Sequence, residues 1–237
     1  MVPEFSALLL AAAGLGVFHT LLRPDHYLPF IFMARAGKWS SAKTAWITVL
    51  CGVGHVLGSV VLGILGIALG IGIAKLEGVE AARGDMAAWA LIAFGLVYMI
   101  WGIRRAIRHR PHGHIHHHPE GVVHEHRHDH TDEHIHVHET STGRKMTPWI
   151  LFVIFILGPC EPLIPLVMYP AAHHNATGVF LVTALFGLTT ITTMTTIVMI
   201  SLSGLRLLPL KKIERFSHAI AGAVILVCGI SIRFLGL

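Results

Sequence analysis

The sequence predicts an all-α polytopic membrane protein, with six transmembrane helices forming two inverted three-helix repeats whose first and fourth helices are broken. Three observations lead there. Of 237 residues, 54% are hydrophobic and 13% charged, with a mean hydropathy of +0.67, a composition outside the soluble range. The apolar residues fall in runs of about 18 or more, enough at ~1.5 Å per residue to cross most of a ~30 Å hydrocarbon core. Two runs are interrupted, by HTLLRPDHYLP (His19–Pro29) and by LGPCEPLIPL (Leu157–Leu166). Ionisable groups at membrane depth are costly and mark function, and proline there is tolerated mainly where backbone lines a cavity or is buried in protein.

Taken in order, span 1 covers about Phe5–Leu22, with Gly14 and Gly16 allowing close packing, and Tyr27–Ala36 reads as a half-helix after the Arg23-Pro24 break. Span 2, about Ala45–Ile73, is glycine-rich and contains His55. Lys75–Asp85 reads as a loop, with Glu77, Glu80 and Arg83, and span 3 as about Ala87–Ile107. His109–His138 holds thirteen of the nineteen histidines without apolar periodicity, and is expected to be disordered in the absence of a ligand. Spans 4, 5 and 6 follow at about Thr147–Ala171, Thr177–Leu205 and His218–Leu235. The expected division is 1–107 for the first repeat, 108–146 for a histidine-rich loop and 147–237 for the second repeat.

The net charge of +5 comes from basic residues in short loops, so it reads as a topology signal and not as a nucleic-acid surface. Positive charges follow spans 1, 3 and 5. The positive-inside rule then places the histidine-rich loop in the cytoplasm and both termini outside, in a cytoplasmic (inner) membrane. Cys51, Cys160 and Cys228 all lie within apolar runs, too few for a disulfide framework. Glu4 and the absence of Lys or Arg before the first run argue for a retained span over a cleaved signal.

Repetition appears at two offsets. An offset of 135 lays Pro24-Asp25-His26 on Pro159-Cys160-Glu161 and Gly54-His55 on Thr189-Thr190, and an offset of 127 lays Gly95 and Gly102 on Gly222 and Gly229. Inverted repeats with broken helices meeting near the midplane describe many secondary transporters.

The candidate metal site gathers His19, Asp25, His26 and His55 with Cys160 and Glu161. Imidazole and carboxylate donors suit nickel, cobalt, zinc or iron, and a thiolate adds softness. Metal binding displaces protons from its ligands, which gives a basis for coupling to a proton gradient. Each residue also has a plainer reading: His19 and His55 as packed histidines, Cys160 as a small apolar residue, Asp25 as a partner for Arg23. The threonines of GLTTITTMTTIVM read first as bonding back to their own helix. A polar transport path along Thr189, Thr190, Thr193 and Met194 is the alternative. In the loop, His112, His114, His116, His117, His118, His124, His126, His128, His130, His134, His136 and His138 read as an accessory metal-capture tract, able to buffer or sense metal without selecting it.

The motif HTLLRPDH, a GH in the second span, GPC in the fourth and the histidine-rich loop together resemble nickel/cobalt transporters of the NicO and UreH-like kind. These lie in a superfamily with thiol-electron carriers of the CcdA and DsbD type. The resemblance implies transport of Ni²⁺ or Co²⁺, with Zn²⁺ and Fe²⁺ as alternatives, through a site at the broken helices. It implies no enzymatic activity, and it makes a cytoplasmic metallochaperone a candidate partner. Five residues, Thr20–Pro24, separate His19 from Asp25, where the family has four. GPCEPLIP also resembles the proline-cysteine motif of the electron carriers, whose partner cysteine would stand where this chain has Asp25. A thiol-based electron carrier and an anion or sulfur-compound exporter are therefore the rival expectations.

Overall fold

A computed structural model describes residues 3–108, 112–117, 123–128, 142–173, 175–207 and 214–236. The regular structure among the described residues is helical apart from one short hairpin. Helix α1 (Pro3–Leu22) ends at Arg23-Pro24, because proline lacks the N–H that would continue the ladder. One 3₁₀ turn, Pro24–His26, leads into α2 (Leu28–Ala36). Six of the nine α2 residues are buried, among them Phe30, Ile31 and Met33, so this half-helix lies inside the bundle and not along its rim. Helix α3 (Ser41–Ala68) starts at Ser40, whose Oγ accepts from the Lys43 N–H at 3.2 Å.

Helix α4 runs from Ile73 to Arg108 and absorbs the segment expected to be a loop. The reason is a buried stripe, Leu76, Glu80, Gly84, Ala87 and Leu91, recurring every three or four residues. Its charged members obscured the period. The second broken run gives α5 (Thr142–Leu157), a bend at Gly158-Pro159-Cys160 and α6 (Leu163–Ala172). Helix α7 spans Ala176–Leu207, and α8 spans Ser217–Ile230 with a π turn to Leu235.

Among the described residues, five helices are long and apolar enough to cross a membrane: Glu4–Leu22, Ser41–Ala68, Ile73–Arg108, Ala176–Leu205 and Ser217–Leu235. Span 4 is divided, and its apolar part, Pro148–Leu157, is shorter.

The most extensive helix pairing is α4 with α8. A Cβ on Gly95 would strike Leu226 and one on Gly222 would strike Met99, each also lying about 2.8–2.9 Å from the other glycine's carbonyl. Lipid tails are as apolar as leucine, so close backbone contact and dispersion, not water exclusion, hold such helices together. One apolar cluster gathers Phe30, Met33, Leu151, Phe155, Met194 and Ile225. A second gathers Ala12, Val56, Cys160, Leu163 and Phe186.

In the histidine-rich loop, strands β1 (His112–His117) and β2 (Val123–His128) pair antiparallel, with His112 opposite His128, His114 opposite His126 and His116 opposite His124. These two segments are paired, and the rest of the tract expected to be disordered lies outside the described residues. Histidine at alternate positions is a period-two pattern that the composition masked. His118, His130, His134, His136 and His138 lie outside the described residues.

Candidate metal centre

The first break supplies most of the donors. His19 sits in the last turn of α1, and His26 ends the 3₁₀ turn. His55 reaches them from the middle of α3. A ligand nitrogen from each of the three histidines lies within 4.8 Å of the others. The Nε2 atoms of His26 and His55 are 3.3 Å apart, and both residues are 2% exposed.

The hydrogen bonds around the rings determine which nitrogens are free. Nδ1 of His55 lies 3.2 Å from the Phe155 carbonyl, which can only accept. His55 therefore donates from Nδ1, and its Nε2 keeps a lone pair directed at His26. On the other side, Asp25 Oδ2 lies 3.2 Å from His26 Nδ1, and Asp25 Oδ1 lies 3.5 Å from Arg23 Nε. A carboxylate behind the ring is a common way to orient a metal-binding histidine. The buried Nε2 of His19 has no hydrogen-bond partner.

The two Nε2 atoms at 3.3 Å share a hydrogen bond when His26 carries its proton on Nε2, and a cation can take that proton's place. Tetrahedral Zn²⁺, with metal–nitrogen bonds of about 2.0–2.1 Å, separates its ligands by about 3.3–3.4 Å. The His26–His55 pair fits that edge as it stands, and the His19 ring must swing inward to complete the set.

A cavity of about 20 Å³, room for roughly one water, adjoins the cluster. Asp25 and His26 of the first break line it with His55, Phe155 and the second break's Gly158 and Pro159. The two breaks thus meet around one space. Cys160 is fully buried, but it packs in the apolar cluster of Val56 and Phe186 and is outside the three-histidine group. Glu161 is exposed and likewise outside the group.

Along α7, Thr189 Oγ1 donates to the carbonyls of Leu185 and Phe186, the plainer of its two readings. Thr190 is fully buried, and its hydroxyl has no partner. Thr193 is half-buried, and Met194 belongs to the first apolar cluster.

Two residues escaped the sequence reading. Glu80, fully buried, is paired with Arg83, and its Oε2 accepts from the Cys160 N–H at 3.3 Å. Arg83 Nη2 donates to the carbonyls of Ile156 at 2.7 Å and Gly158 at 3.3 Å. The signal that would have found them is the helical stripe through Leu76, Glu80 and Gly84.

The chain matches the family described as the cytochrome c biogenesis protein transmembrane region over residues 28–231. The match takes in His55, Glu80 and the second break, and begins just after His19, Asp25 and His26. No curated protein and no solved structure matches the chain. With most of its length covered, the chain belongs to that transmembrane family and is a multi-pass membrane protein.

Proposed function

We propose that this member of the cytochrome c biogenesis transmembrane family is a secondary transporter of a divalent transition metal, with Ni²⁺ or Co²⁺ as its cargo. One observation carries the reading: three imidazoles converge beside a small cavity where two broken helices meet. Three imidazole donors suit Ni²⁺, Co²⁺, Zn²⁺ and Cu²⁺ better than Mg²⁺ or Ca²⁺, which favour oxygen. Asp25 would orient His26 and offset the cation's charge.

The glycine seam between α4 and α8 supports the inverted repeat. Gly95 and Gly222, equivalent under the 127-residue offset, meet each other, and Gly102 and Gly229 flank them on opposite sides. The repeat, the cytoplasmic-membrane location and the cytoplasmic face of the histidine-rich loop belong to the same proposal.

The test is uptake into proteoliposomes loaded with a metal-sensitive dye. The wild-type protein is expected to admit Ni²⁺ or Co²⁺, and His26→Ala to remain at the empty-vesicle level. Equal rates for the two would overturn the reading.

The family match favours a second reading, a thiol-based electron carrier with Cys160 at its proline break. Thiol exchange needs two sulfurs that can meet, and Cys51, Cys160 and Cys228 are all free and lie on separate elements. A Cys160→Ser variant that keeps full activity excludes it.

A further inference from the structure

A helix that ends inside a membrane leaves its last carbonyls and the next helix's first N–H groups without water to bind. At the second break, Gly158 N–H reaches the Ile154 and Phe155 carbonyls, and His55 Nδ1 donates to the Phe155 carbonyl as well. Arg83 covers the Ile156 and Gly158 carbonyls, and Glu80 takes the Cys160 N–H. The signs are matched: a cation closes the negative end of α5, and an anion faces the start of α6. Ser59 of α3 adds a longer contact to Arg83 at 3.4 Å, tying the pair to the helix that carries His55.

We propose that the Glu80–Arg83 pair is a positioning device for the histidine cluster. It holds the end of α5 where the Phe155 carbonyl keeps the proton of His55 on Nδ1, so that Nε2 presents its lone pair to the cluster. Gly158 shows how little play exists, since a Cβ there would lie 3.1 Å from His55 Nδ1. The effect on metal affinity rests on the transport reading above. The effect on the His55 ring does not.

The decisive variant is Glu80→Gln/Arg83→Gln, which removes both charges and so strands neither. ¹⁵N-histidine NMR of the metal-free, full-length protein reads the tautomer, with His55 assigned by its loss in His55→Ala. Wild-type His55 is expected to be protonated on Nδ1, and the double variant to show a mixture of tautomers. Its Ni²⁺ affinity should fall about 10–100-fold, as when a metal-binding histidine loses the group that orients its ring. Arg83→Lys keeps the charge but lacks the two-carbonyl fork, and should fall in between on both readouts. A folded double variant with the wild-type His55 signal overturns the proposal. If the double variant does not fold, an unchanged His55 signal in Arg83→Lys overturns it as well. Wild-type protein that binds no Ni²⁺, Co²⁺ or Zn²⁺ defeats the transport reading alone, and the tautomer shift still decides the positioning role.

Discussion

The two helix breaks line the same cavity, yet they are built from opposite resources. The first carries its polar groups in its own sequence: Arg23, Asp25 and His26 are consecutive or nearly so and pair among themselves. The second, Gly158-Pro159-Cys160, carries almost none and draws a carboxylate and a guanidinium from α4. The first break therefore supplies its own polar side chains, whereas the second is a backbone surface held in place from outside. In lipid every break must satisfy its backbone, and a neighbour's side chains can do so as well as the break's own.

That contrast can be broken by mutation, and the largest effect belongs to the first break. His26→Ala should abolish metal-dependent uptake. Asp25→Asn should retain uptake but weaken metal affinity about 10–100-fold by titration calorimetry.

Stability should show the reverse bias. Arg83→Ala leaves fully buried Glu80 without its partner and should cost about 3–5 kcal/mol in thermal or denaturant unfolding. Arg23→Ala should cost less, because Asp25 keeps His26 within 3.2 Å as a second partner. Equal losses would erase the distinction between the breaks.

A subtler probe is Gly158→Ala, whose Cβ would lie 3.1 Å from His55 Nδ1 and 3.2 Å from the Phe155 carbonyl. Those neighbours must give by tenths of an ångström. Affinity should drop several-fold while the melting temperature barely moves. Smallest of all, Glu161→Gln should leave affinity and melting unchanged, since Glu161 is exposed.

The membrane class, both breaks and the histidines of the cluster were legible in the sequence because each violates an apolar background. His19, His26 and His55 stand out in runs of leucine, glycine and alanine. Glu80 and Arg83 were not legible. They sit among Glu77 and Asp85 in a segment whose charge resembles a loop, and only the burial of one helix face separates them from their neighbours. Cys160 and Glu161 lie outside the histidine group. Aligning them on Asp25 and His26 assumed that equivalent positions carry equivalent chemistry, but one packs among apolar side chains and the other faces outward.

The smallness of the cavity bears on how an ion would travel. On the transport reading, a divalent ion with its full shell of waters does not fit a cavity with room for roughly one water. The cargo would have to arrive bare, trading its hydration shell for ring nitrogens. Discrimination between metals would then depend on how readily each gives up water as much as on how tightly the histidines hold it.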